Sequence, residues 1–162
     1  MTSKTKKNKS TDGKPQVKDG VKLSQLVSKI KNFDELKKDY ELIEENLTIN
    51  GILRKLSEHM EFYLKIIQQI LQPEEFHALY ECAIFDDKEK AGLFDLYKRI
   101  IIAHREILKA EIQNDEKNSL STIQFAHEEI QSVKPEMLGI VKRMQESWKN
   151  NPAEAKKAQY FG

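Results

Sequence analysis

Hydrophobic side chains between positions 49 and 70 recur at alternating steps of four and three residues: Ile49, Leu53, Leu56, Met60, Tyr63, Ile67 and Ile70. That is the seam of a helix packed lengthwise against other helices. Before it the apolar positions form two shorter runs, first Val21, Leu23, Leu26, Val27, Ile30 and Phe33, then Leu36, Tyr40, Ile43 and Leu47. The second run does not continue in phase onto Leu53, and Asn50-Gly51 is a turn-forming pair. The pattern therefore predicts a kink or turn near 46–51 and a helix over about 48–71. Gln72-Pro73 closes that helix, because proline cannot continue it but can open the next one. A short helix over 74–85 is expected to follow.

Asp86 with Glu89 three residues on makes a capping box, so a long helix starts near Asp87. It turns Leu93, Tyr97, Ile100, Ile107 and Leu108 inward, and Ile100, Ile101, Ile102 and Ala103 make it apolar nearly all round. A helix of that kind is expected at the centre of the fold. Positions 114–119 read as a polar turn, and Ser121 with Gln124 as a second capping box. The last stripe is Ile123, Ala126, Ile130, Val133, Met137, Val141, Met144 and Trp148, interrupted by Pro135, where a kink or a split is expected. Asn151, Pro152 and Glu154 then suit the start of a short terminal helix.

These elements add up to an all-α fold, an antiparallel and largely up-down bundle of four to five helices over residues 21–150. Its three long members, at about 24–30 residues each, would span ~35–45 Å. Residues 1–20 hold only Met1 and Val17 as hydrophobic side chains, too few to offset the entropy of ordering, so they predict a disordered basic arm. Residues 151–162 predict a short helix or tail ending in Tyr160, Phe161 and Gly162. A chain of 162 residues suits one domain better than two.

Charge changes this picture more than composition does. The net charge is +1, yet residues 1–31 hold nine Lys against Asp12 and Asp19, leaving a mildly acidic body. Such a split predicts a counterpart for the arm: nucleic acid, an acidic partner, or the body itself. Lys4, Lys6, Lys7, Lys9, Lys14 and Lys18 are the candidate phosphate contacts. The arm lacks both an aromatic to stack on bases and an Arg for bidentate contacts. The single Cys82 excludes an internal disulfide, and the N-terminus lacks the apolar run of a secretory signal. A cytoplasmic protein is expected, or a nuclear one if the source is eukaryotic, with no membrane span.

Candidate chemistry is sparse. Glu74-x-x-His77 has the spacing of a di-iron bundle ligand pair, but such sites need two pairs and two further Glu. Neither a metal nor a cofactor is expected. Cys82 has no Lys, Arg or His within four residues to lower its pKa. Arg99 and His104, on the central helix, form an Arg-x-x-x-x-His spacing that resembles the active-site motif of HEPN (higher eukaryotes and prokaryotes nucleotide-binding) ribonucleases, which are also helical bundles. The likeness covers six residues. It departs from the family in that Ile100, not a polar residue, follows Arg99, and Arg54 with His59 has the same spacing. It implies RNA cleavage by Arg99 and His104 as the alternative function. The leading expectation is a non-enzymatic interaction or adaptor module. Its long amphipathic faces would receive a protein partner, with self-association through the same seams as a variant and Tyr160 and Phe161 as a docking tail.

Overall fold

The computed structural model describes residues 28–43 and 47–150. The Lys-rich arm, the first apolar residues after it and the 151–162 tail lie outside those residues. Among the described residues five helices follow in order: α1 (Phe33–Asp39), α2 (Ile49–Leu71), α3 (Phe76–Cys82), α4 (Asp87–Gln113) and α5 (Glu116–Asn150). No strand occurs among the described residues. None of these helices is long and apolar enough to cross a membrane.

The three long helices form the bundle, and their ends are set by local chemistry. Thr48 caps α2 by accepting the Gly51 amide at 3.0 Å, which absorbs Asn50-Gly51 into the first helical turn. Asp86 caps α4 through the expected box: its carboxylate accepts the Glu89 amide, and the Glu89 carboxylate accepts the Asp86 amide. Arg143 on α5 donates to Glu89 and to the Ile84 carbonyl, and its guanidinium lies over the Phe85 ring. One arginine thereby ties the start of α4 to α5, and with the backbone amide it holds the Glu89 carboxyl below its ordinary range. Arg99 with Glu129 and Glu89 with Arg143 show α4 and α5 running antiparallel.

The core is one continuous cluster. Leu53, Leu56, Met60, Ile67 and Ile70 of α2 pack with Ile100, Ala103 and Ile107 of α4 and Ile123, Ile130 and Val133 of α5. The central helix is α2, which packs against α3, α4 and α5. The expectation that α4 would be central is corrected: Ile102 is 62% exposed, and Tyr97 and Leu108 are only half-buried. An apolar run in mid-helix need not be surrounded by the same chain.

Further local readings change as well. The stripe through Ile43 breaks because α1 ends at Asp39 and Glu41 takes a left-handed φ of 49°. Leu42 therefore turns into the core and Ile43 stands out. The polar turn before α5 shrinks to Asn114 and Asp115: Asn114 closes α4 at φ 50° and the Asp115 carboxylate accepts the Asn118 amide. Ser121 is thus inside α5, where its hydroxyl donates to the Asn118 carbonyl. Of the kink or split expected at Pro135 only the split is ruled out, since α5 runs through it. The proline ring faces solvent, where water can meet the carbonyl that loses its amide. Beyond Met137 the inner stripe takes Ile140 rather than Val141, which keeps the alternation of three and four unbroken.

Candidate functional site

The long antiparallel pair α2 and α4 is covered on one side by α5, and its other side holds the residues that sequence pattern singled out. His104 projects from α4 toward α2. Its Nε2 lies 2.9 Å from the Ser57 hydroxyl and 3.2 Å from a Glu61 carboxylate oxygen, while its Nδ1 is buried without a partner. A carboxylate only accepts, so Nε2 is the donor toward Glu61. Ser57 and His104 are both buried, and Glu61 is exposed at the rim. This is a polar floor between two helices. A hydroxyl and a carboxylate meeting the same ring nitrogen leave nothing to orient the imidazole from its other side, as nucleophile activation would require.

Arg99 points elsewhere. It donates to Glu129 and Ser132 of α5, so the two members of the Arg-x-x-x-x-His spacing engage different helices. Five residues are 500° of helical rotation, which sets them about 140° apart around the axis. The structure does not bring them to one point.

Beside His104, α4 carries a second apolar seam that the core uses only in part, through Tyr97 and Ile101. Phe94, Tyr97, Ile101, Leu108 and Ile112 recur in helical phase, half-buried or exposed, with Phe94 at 53% and Ile112 at 85% exposure. Arg105 occupies the seam's middle register. Lys90, Lys98 and Lys109 flank it, with Glu111 on the side of His104 and Asp95 and Glu106 farther round the helix. Lys98 pairs with Asp95 and Lys109 with Glu106 at its outer edge. Arg105 and Lys90 have no ion-pair partner among the described residues. Sequence periodicity read only the inner stripe, at whose edge Tyr97 does pack against the core, and so missed this seam. The signal was there in the phase of Phe94, Ile101 and Ile112.

A second polar cluster joins α1 to the bundle. The Tyr40 hydroxyl lies 3.2 Å from His127 Nδ1, and the rings of Tyr40 and Tyr63 stand edge-on to His59 at 5.5 and 4.7 Å. Burial pushes the Tyr40 and Tyr63 hydroxyls up, and burial followed by Lys134 pushes His59 down. An open cleft of about 270 Å³ lies alongside, lined by Asp39, Glu41, Lys55, Glu58 and Phe62 as well as Tyr40 and His59.

His77 approaches Glu75 at 3.2 Å, and no group of three His, Cys, Asp or Glu fit to hold a metal occurs among the described residues. Cys82 is half-buried and its thiol donates to the Leu79 carbonyl. Lys4, Lys6, Lys7, Lys9, Lys14, Lys18, Tyr160 and Phe161 lie outside the described residues. No protein-family model, curated protein or solved structure matches the chain.

Proposed function

We propose that this chain is a non-enzymatic interaction module: its helical bundle binds a protein partner, and its Lys-rich arm offers a second contact for nucleic acid or another polyanion. The observation that carries the reading is the outer seam of α4. Large apolar side chains in helical register that the core leaves exposed are a cost unless something covers them. Catalysis by Arg99 and His104, the alternative, needs both groups on one phosphate, and their separate engagement with α5 and α2 favours binding over cleavage. A cytoplasmic setting, or a nuclear one in a eukaryote, accords with a lone thiol.

Affinity capture on the full chain followed by mass spectrometry, with and without nuclease, tests the reading. A saturable protein partner that survives nuclease is the expected result. Loss of every partner on nuclease treatment would move the function to the arm, and capture of no protein would overturn the module reading. Sedimentation at several concentrations separates self-association from binding to a different chain.

A further inference from the structure

We propose that residues 151–162 turn back so that Tyr160 and Phe161 cover the outer face of α3 within the same chain. That face is apolar and in helical register. Phe76, Leu79 and, at the C-cap, Ala83 follow at steps of three and four, all exposed, with Phe76 at 48% and Leu79 at 53%. Tyr80, one turn from Phe76, is buried against the end of α5: its ring lies 4.3 Å from that of Trp148, and its hydroxyl donates to the Ser147 carbonyl. Trp148 donates its indole N–H to Glu81 and stays 42% exposed. Two residues on, α5 reaches Asn150. The chain therefore leaves the bundle beside this face.

Length and place of departure select the occupant. Pro152 lacks the amide that would continue α5 and disfavours helix at Asn151. The residues from Asn151 to Gln159 then supply a contour of ~30 Å, while Phe76 and Leu79 lie within one turn, ~5 Å along α3, of the Tyr80–Trp148 contact. The other end of the chain cannot reach. Lys29 is held by Glu116 at the start of α5, ~48 Å of helix from Trp148, and the apolar run from Val21 to Val27 spans only ~23 Å fully extended. Farther out, residues 1–20 offer only Met1 and Val17. Tyr160 and Phe161 are the only aromatic side chains outside the described residues. Area speaks against a second copy: the exposed parts of Phe76, Leu79 and Trp148 come to roughly 300 Å², against the ~800 Å² per partner of a stable complex. A tethered segment needs less, because its effective concentration is high. Charge does not oppose the contact, since residues 74–83 hold Glu74, Glu75 and Glu81 with no Lys or Arg, and residues 151–162 bring Lys156 and Lys157 with Glu154. Glu75 already meets His77 and Glu81 meets Trp148, so the rings and not ion pairs carry it.

Hydroxyl-radical labelling read by mass spectrometry tests the contact from both sides in the full chain. Phe76 and Leu79 should be labelled severalfold faster in Tyr160→Ser with Phe161→Ser than in the parent, at every protein concentration. Reciprocally, Tyr160 should be labelled severalfold faster in Phe76→Ser with Leu79→Ser. The chain has one tryptophan, so intrinsic emission reports Trp148 alone, and it should move to longer wavelength in the Tyr160→Ser, Phe161→Ser protein. Those two substitutions lie outside the described helices, so this variant keeps the bundle and decides the matter even if α3 loosens in the other. Equal labelling of Phe76 and Leu79 in the parent and the Tyr160→Ser, Phe161→Ser protein overturns the proposal: fast in both leaves the face open for a different protein, and slow in both assigns it another cover. Protection that appears only as concentration rises overturns it as well and gives the face to a second copy.

Discussion

Ser57 and His104 are 47 residues apart in sequence and hydrogen-bond across the α2–α4 interface at 2.9 Å. The bond fixes which face of each helix meets the other, yet it satisfies only one side of the imidazole, since Nδ1 is buried without a partner. Ser57→Ala should cost ~1 kcal/mol, the usual net worth of such a bond. His104→Ala should cost ~2 to 4 kcal/mol by opening a cavity. His104→Leu should cost less than His104→Ala, because it fills the space and removes the orphaned nitrogen, while the Ser57 hydroxyl turns back to its own helix. Urea denaturation of the three variants checks the order. The same His104→Leu protein decides the ribonuclease alternative: neither it nor the parent should cleave single-stranded RNA without added metal, and cleavage by the parent that the variant lacks would restore that alternative.

Leu56 is fully buried and Ile112 is 85% exposed, although both lie in helical register with apolar neighbours. Leu56→Ala and Ile100→Ala should each cost ~2 to 5 kcal/mol, while Ile112→Ala should stay within ~0.5 kcal/mol of the parent. A large loss at Ile112 in the isolated chain would mean that the outer seam is already covered.

These two residues also mark what could be read from sequence. The seam from Leu53 to Ile70 was legible because α2 is polar on its other face, so only one phase of burial fits. Helix α4 was half legible: its start follows from Asp86 and Glu89, but its middle is apolar nearly all round, and periodicity cannot say which side the same chain covers. Tyr97 and Leu108, read as inward, are for that reason only half-buried, with Tyr97 packed at the edge of the core. Ile43 gave way to Leu42 because a left-handed Glu41 shifts the register, and nothing in the local pattern demands that conformation. The Ser57–His104 bond was invisible, since register between helices depends on the packing of all of them. Arg99 and His104 had the right spacing for a motif but the wrong rotation about the axis for a shared site.

Pro135 sits in the interior of α5 with its ring toward solvent. It removes one backbone hydrogen bond and presses on the carbonyl four residues earlier. Pro135→Ala should therefore raise stability by ~1 to 3 kcal/mol, within the helix-propensity gap between the two residues. A thermal midpoint that falls would show that the proline serves a bend the packing of Val133 and Met137 requires.

The arm makes a separate electrostatic prediction. If Lys4, Lys6, Lys7, Lys9, Lys14 and Lys18 grip duplex DNA, the logarithm of affinity against the logarithm of salt should have a slope of roughly −4 to −5, because each neutralised phosphate releases condensed counterions. Changing all six to Gln in the full chain should flatten that slope and remove most binding. An unchanged slope would place the phosphate contacts on the bundle instead.

His59 supplies a pH dependence. It faces Tyr40 and Tyr63, its Nε2 is buried without a hydrogen bond, and burial and then Lys134 hold its pKa below the ordinary 6.5, with Asp39 working the other way. Below that ordinary value the unfolded ring takes a proton while the folded ring stays neutral. The unfolded state thus binds more protons, and stability rises with pH across this window. The contribution is complete above about pH 7 and is lost progressively as pH falls through 6.5 toward the lower folded value. Urea midpoints at pH 7.5, 6.5 and 5.5 should therefore fall more steeply for the parent than for His59→Gln, which cannot titrate. Taking the difference between the two proteins cancels the other groups that titrate in this range. Parallel pH profiles would show that His59 ionises as freely in the folded chain as in the unfolded one, and that the aromatic wall against Tyr40 and Tyr63 leaves it open to water.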